Sequence, residues 1–256
     1  MAKVYCVFNQ KGGVGKTATT TNLGAALARL GLRVLVVDAD SQGNLTSGLN
    51  MKVEKGGKTL YDVICGNMDI QKAIMPSRYS NLMLIPANST LAGCEVELVS
   101  VPKRELILKQ ALSNILDKFD YVLIDCPPSL GLISINALAA SDGIIVPIQC
   151  EYYALEGVSN LINTINLVKR GLNPTLDIVG IVLTMYDGRT NLSVQVAAEV
   201  KRYFREKVFN TIIPRNVKIA ESPSFGKPVI YYDESSTGAK AYTLLASELI
   251  EKGKNQ

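Results

Sequence analysis

Short runs rich in β-branched and aliphatic residues recur along the chain: VYCVFN, RVLVVDAD, NLMLIPA, YVLIDCPP, GIIVPIQ, LDIVGIVLTMY and VFNTIIP. Between most of them the apolar positions return at helical spacing. Strands alternating with helices imply βαβ units and a mainly parallel sheet. The runs at 33–37 and 121–124 are almost wholly apolar, as strands covered on both faces should be. In the segment 17–31, Leu23, Ala26, Leu27 and Leu30 fall on one helical face and Gly31 supplies a stop. Near the end of the chain, Tyr242, Leu245, Ala246 and Leu249 share a face of another predicted helix, followed by a short polar tail. The pattern predicts an α/β fold: a mostly parallel, twisted β-sheet flanked by helices on both faces. With no internal repeat, low-complexity tract or Pro/Gly/Ser linker in view, one domain over 1–256 is expected.

Composition narrows the chemistry. The hydrophobic content of 47% and charged content of 20% are those of a globular protein with many doubly covered strands. No apolar run of membrane-spanning length occurs, and the first residues show no secretory signal, so a cytoplasmic location is expected. The five cysteines, Cys6, Cys65, Cys94, Cys126 and Cys150, are scattered, odd in number and form no C-x-x-C pair. Reduced core thiols are therefore expected, rather than a disulfide framework or a zinc or iron–sulfur centre. The absence of histidine leaves Asp, Glu, Lys and backbone groups for any acid–base work.

The sharpest motif is NQKGGVGKT at 9–17, between a predicted strand and a predicted helix. The ordinary phosphate loop, G-x-x-x-x-G-K-[ST], requires glycine where this chain has Gln10, and an additional lysine, Lys11, stands where that pattern leaves the residue free. The context still fits an anion site. Backbone N–H groups from Gly12, Gly13, Val14, Gly15, Lys16, Thr17 and Ala18 would curl around phosphate at a helix N-terminus. Lys16 would reach the β and γ phosphates and Thr17 would ligate Mg²⁺. Carboxylates at strand ends complete such a site: Asp38 and Asp40 in VLVVDAD, and Asp125 in YVLIDCPP. Asp125 is read as the magnesium-associated aspartate and Asp40 as the residue that orients or deprotonates attacking water. Asp38 stays open between a structural and a chemical role.

KGGVGKT (11–17), VDADSQGNLTSGL (37–49), DYVLIDCPPSLGLISINAL (120–138), VPIQCEYYALEG (146–157), LTMYDGRTNL (183–192) and IPRNVKIAESPSFGKP (213–228) together resemble the ParA family of DNA-partition ATPases, near its Soj-like chromosomal branch. The resemblance covers nearly the whole chain. It implies a P-loop ATPase of the deviant Walker A type, binding ATP or ADP with Mg²⁺, in which two subunits sandwich two ATP molecules. Lys11 would then reach across to the partner's nucleotide, neutralising charge in phosphoryl transfer. It also implies an adenine pocket with Pro214 and Asn216, a ParB-type centromere-binding partner that stimulates hydrolysis, and a nucleoid-associated protein. Two residues depart from the family pattern. Ala18 replaces a second threonine, at a position where only backbone is needed, and Ser41 replaces a loop-stiffening proline before Gln42. The stretch TMYD lacks the lysine of guanine-specific proteins.

The formal charge is only +4, but residues 187–227 hold eight basic and four acidic residues, so the whole excess lies there. Lys201, Arg202 and Lys227 become candidate phosphate contacts, and the resemblance adds Arg189 and Lys218 as the first choices. Doubling such a face in a homodimer multiplies phosphate contacts, so ATP-dependent, sequence-independent binding of double-stranded DNA is expected. No aromatic stacking pattern is visible in the sequence. Three other readings share the nucleotide chemistry. A MinD-like membrane-cycling ATPase would need a bulky, basic C-terminal amphipathic helix, whereas Glu248 and Glu251 lie near the end and no aromatic follows Tyr242. A nitrogenase-reductase-like carrier would need cluster cysteines such as Cys94 and Cys126. A small-molecule ligase would need a second-substrate pocket.

Overall fold

The computed structural model describes residues 1–54, 56–152 and 156–254. Among them, strands β1 (Lys3–Val7), β2 (Val34–Asp38), β3 (Met75–Pro76), β4 (Leu82–Ile85), β5 (Tyr121–Asp125), β6 (Gly143–Gln149) and β7 (Asp177–Thr184) form one sheet in the order β3-β4-β2-β5-β1-β6-β7. Every pairing is parallel except β3 with β4. The helices are α1 (Lys16–Arg29), α2 (Asn44–Gly48), α3 (Leu60–Ile64), α4 (Cys94–Glu97), α5 (Ile107–Ser113), α6 (Leu132–Ala140), α7 (Glu156–Gly171), α8 (Asn191–Phe204), α9 (Val217–Glu221), α10 (Val229–Tyr232) and α11 (Thr237–Lys254).

The two-residue period of each strand sorts its side chains into two cores. Val4, Cys6 and Phe8 face a core shared with α3 and α5–α8, while Tyr5 and Val7 face one shared with α1, α2, α10 and α11. Leu35 and Val37 divide from Val34 and Val36 in the same way. Both faces of the sheet are covered, as the apolar runs predicted. α1 lies close on the sheet: a Cβ at Gly24 would stand 2.7 Å from the Val36 side chain. Gly31, with φ of 89°, ends the helix as expected, but Leu30 at the C-cap is 46% exposed and leaves the buried stripe.

Two expectations are corrected. The run VFNTIIP is no strand, although isolated bridges, Ile181 with Val208 and Tyr186 with Pro214, and the bonds from Phe209 N to Ile181 O (2.9 Å) and Ile213 N to Leu183 O (2.8 Å) tie it to the β7 side. Between them the Glu248 carboxylate of α11 accepts from Asn210 N (2.6 Å) and Thr211 N (2.9 Å), interrupting the ladder at Thr211. The second correction concerns the thiols. Cys65, the C-cap of α3, and Cys94, the first residue of α4, form a disulfide with Cα atoms 6.0 Å apart. Folding juxtaposes two cysteines 29 residues apart, a spacing that carries no signature. It also separates Cys94 from any cluster with Cys126. Cys6, Cys126 and Cys150 are buried and free, as expected. No described helix is long and apolar enough to cross a membrane.

Candidate nucleotide site

The sheet order places β1 centrally, and its C-terminal end opens into the glycine loop. That edge is where ligands bind in open α/β sheets. Gly13 (φ 74°) and Gly15 (φ 88°) take left-handed backbone that other residues resist, and Gly15 is the N-cap of α1. Long-range bonds hold the loop from outside. Asn9 donates to Pro147 O (2.8 Å), Gln10 to Thr164 Oγ1 (2.9 Å), and Thr184 Oγ1 to Val14 O (2.8 Å).

Lys16 is 7% exposed, and its Nζ donates to the Lys11 carbonyl at 3.0 Å. Burial lowers its pKa, opposed chiefly by the nearby Asp125 charge. The Lys11 N–H donates to Asn9 Oδ1 (3.0 Å), and its half-buried side chain makes no ion pair among the described residues. Thr17 and Ala18 follow on the first turn of α1, both half-buried.

Asp125, the last residue of β5, is fully buried and in register with Asp38 of β2. Burial first, then the Asp38 charge, pushes its carboxyl up to about 8, while the neighbouring Thr17 and Thr20 hydroxyls pull it down. Thr20 Oγ1 donates to Asp125 Oδ1 at 3.2 Å, whereas Oδ2 is buried with no hydrogen-bond partner. An orphaned carboxylate oxygen beside a threonine hydroxyl at a helix N-terminus is a donor set that fits a hard divalent cation such as magnesium.

Asp38 is tied into the loop that follows β2. It accepts from Asp40 N (3.2 Å), Thr46 N (2.9 Å) and Thr46 Oγ1 (2.6 Å), tying down the loop between β2 and α2. Burial pushes its carboxyl up to about 6, against the pull of these donors. Asp40 is half-buried on that loop and accepts from Gln42 N (2.9 Å).

A cavity of about 580 Å³ brings Gly12, Lys16, Thr17 and Asp40 together with Pro127, Pro128 and Met185. A second, of about 500 Å³, shares Gly15, Ala18 and Met185 with it and contains Pro214 and Asn216. The Asn216 amide is already engaged: Oδ1 caps α9 through Lys218 N and Ile219 N, and Nδ2 donates to Thr237. Larger cavities of about 890 and 720 Å³ lie along α11 and include no glycine-loop residue, so volume does not mark the site.

Sequence reasoning missed the wall made by Pro127, Pro128 and Ser129, although its position just past a buried strand end could have signalled it. It also missed Met185, which has a φ of 52° and lines both cavities. Tyr153, Ala154 and Leu155, inside the quoted segment 146–157, lie outside the described residues.

The candidate DNA contacts are dispersed and partly neutralised. Arg189, in the β7–α8 turn, is 88% exposed and bonds Asp187 through Nε (2.8 Å) and Nη2 (2.7 Å). Lys218 pairs with Glu221 (2.7 Å) and lies over the Tyr232 ring. Arg202 pairs with Glu199 (2.7 Å). Lys201 and Lys227 are exposed and make no ion pair among the described residues. Folding also creates a stacking pair that spacing concealed, Phe225 on Tyr232 at 4.9 Å.

A family model described as an AAA domain matches residues 2–178. The sporulation initiation inhibitor protein Soj of Bacillus subtilis is 53% identical over 99% of this chain and 100% of its own. The chromosome partitioning protein ParA of Myxococcus xanthus is 49% identical over 98% of this chain and 89% of its own. Among solved structures, cobyrinic acid a,c-diamide synthase of Mycobacterium smegmatis, with bound ADP and magnesium, superimposes with a TM-score of 0.87 at 38% identity, covering 99% of this chain and 96% of that one. The cell division ATPase MinD of Pyrococcus furiosus is more distant, at 28% identity and a TM-score of 0.81 over 98% and 99% of the two chains. With the deviant glycine loop, the strand-end carboxylates and near full-length identity all agreeing, the chain belongs to the ParA/Soj family of partition ATPases.

Proposed function

We propose that this protein binds ATP with Mg²⁺ over the glycine loop and closes as a homodimer. In that state it holds double-stranded DNA without sequence preference, and it hydrolyses ATP when a ParB-type partner engages. The observation that carries the reading is the convergence of the glycine loop, buried Lys16 and the unpartnered Asp125 Oδ2 at one edge of the sheet. Thr17 and Asp125 would hold the magnesium ion, which supplies positive charge beside the phosphate oxygens. Loop amides and Lys16 bind and orient the phosphates, and Asp40 orients the attacking water and accepts its proton. Lys11 reaches the partner subunit's nucleotide. Pro214 and Asn216 border the base, with Asn216 acting through its backbone because its amide is engaged. Arg189, Lys218, Lys201, Arg202 and Lys227 contact DNA phosphates, and a dimer presents twice as many. A mobility shift of non-specific duplex with ATP, ADP or no nucleotide, beside light scattering of the same samples, tests this. ATP alone should give both the dimer and the shift. A shift that ignores nucleotide, or an ATP-bound monomer that shifts DNA equally well, overturns the coupling.

A further inference from the structure

The ordinary phosphate loop opens on a glycine where this chain has Gln10, and the geometry gives that difference a use. Gln10 is not among the residues with positive φ; those corners fall on Gly13 and Gly15. A side chain is therefore tolerated at position 10. Its amide Nε2 leaves the loop and donates to Thr164 Oγ1 at 2.9 Å. Thr164 is 7% exposed in α7, beside Leu161, Ile165 and Val168, which pack that helix against the core. Gln10 thus bonds to a part of α7 that is held by the core.

The next residues share this anchor with the Asn9–Pro147 bond. Gly12 and Gly13 are exposed, and a Cβ at either would meet nothing within 4 Å, so the turn after Lys11 has little lateral support. Lys11 is instead held through its backbone. Its N–H donates to Asn9 Oδ1 at 3.0 Å, and its carbonyl accepts from Lys16 Nζ at 3.0 Å. A line of hydrogen bonds and one peptide link therefore runs from α7 through Gln10 and Lys11 to the Lys16 ammonium. Lys16 has independent support from α1, into whose first turn it is built, whereas Lys11 is held by two ties that pass through its neighbours, Asn9 to Pro147 and Gln10 to Thr164.

We propose that Gln10 and Thr164 are a positioning pair that fixes the Lys11 backbone against α7, presenting the Lys11 side chain for its reach to the partner subunit's nucleotide. The proposal rests on the reading of Lys11 given above. Removing the bond should loosen Lys11 while leaving the nucleotide held by the loop amides and Lys16.

The test is ATPase kinetics with light scattering on Gln10→Ala, Thr164→Val, their double variant and Thr164→Ser, with thermal melts confirming that each folds. Gln10→Ala and Thr164→Val should each lower kcat and the ATP-dimer fraction about five- to tenfold, the worth of one partly buried neutral hydrogen bond. KM for ATP should stay within about twofold, since the groups that hold the phosphates are untouched. The double variant should be no worse than either single one, and Thr164→Ser, which keeps the hydroxyl, should match the parent. Wild-type turnover in Gln10→Ala, additive losses in the double variant, or a Thr164→Ser protein as impaired as Thr164→Val would each overturn the tether. Lys11→Ala, run alongside, separates the two layers. If it still dimerises with ATP, the reading of Lys11 fails; if it stays monomeric while Gln10→Ala behaves as the parent, only the tether fails.

Discussion

Replacing Thr46 by valine probes the clamp on the loop that carries Asp40. The Thr46 hydroxyl donates to Asp38 Oδ2 at 2.6 Å and accepts from Ala87 N at 3.1 Å, and the residue is 5% exposed. Valine keeps the shape and removes both bonds. A hydrogen bond to a charged group contributes about 1.5–3 kcal/mol, and leaving a buried N–H unpaired costs about 1–3 kcal/mol. The added methyl returns roughly 0.8 kcal/mol of apolar burial. The net loss is about 2–5 kcal/mol, a large share of the stability of an ordinary domain. Urea denaturation at neutral pH measures it as a lower midpoint at unchanged slope. Thr46→Ser keeps the hydroxyl and should lose about 0.5–1.5 kcal/mol, the cost of removing one buried methyl. Turnover should fall in Thr46→Val as well, because the same carboxylate holds Asp40 N at 3.2 Å. A Thr46→Val protein within about 0.5 kcal/mol of the parent, the range of an ordinary surface substitution, would refute the reasoning. A serine variant equally weakened would show that keeping the hydroxyl does not preserve the clamp.

Other consequences are as direct. Lys16→Ala should abolish ATP binding, read by equilibrium titration with a fluorescent nucleotide, while Lys11→Ala binds nucleotide and stays monomeric; ATP-dependent dimers of the Lys11 variant would remove its role in trans. Asp40→Ala should hold the ATP dimer on DNA, and rapid release would count against Asp40 as the residue that handles water. Arg189→Glu should weaken DNA binding with dimerisation intact, and an unchanged mobility shift would take that arginine off the contact surface. Burial raises the Asp38 carboxyl from 3.8 to about 6, so the folded state holds that proton more tightly than the unfolded chain does. The parent should lose stability relative to Asp38→Asn as pH rises through this window and run parallel above it; a constant difference in denaturation free energy would show that Asp38 does not titrate there.

What the sequence revealed was whatever a period or a short spacing encodes. The doubly apolar runs became the central strands, and the glycine loop, Lys16, Thr17, Asp40 and Asp125 meet at the edge where their order along the chain put them. Features made by contacts between distant residues stayed hidden. The Asp38–Thr46–Ala87 clamp, the Gln10–Thr164 bond and the Cys65–Cys94 disulfide each join residues with no shared periodicity. The run at 208–214 misled because its side chains divide between the two cores as a strand's do, Val208 and Ile212 to one and Phe209 and Ile213 to the other, while Glu248 of α11 captures two of its amides. Counting charge in the basic segment likewise could not show that Asp187 and Glu221 already engage Arg189 and Lys218.

The supports of the glycine loop bear on when the protein becomes competent during its synthesis. The motif is made before the residues it is tied to, Pro147, Thr164 and Thr184, which lie 138, 154 and 170 residues further along. Such non-local closures form late in folding. A nascent chain halted before β7 would therefore carry every residue of the motif without the surroundings that shape it, and the capacity to grip a nucleotide would wait for the strand that carries Thr184.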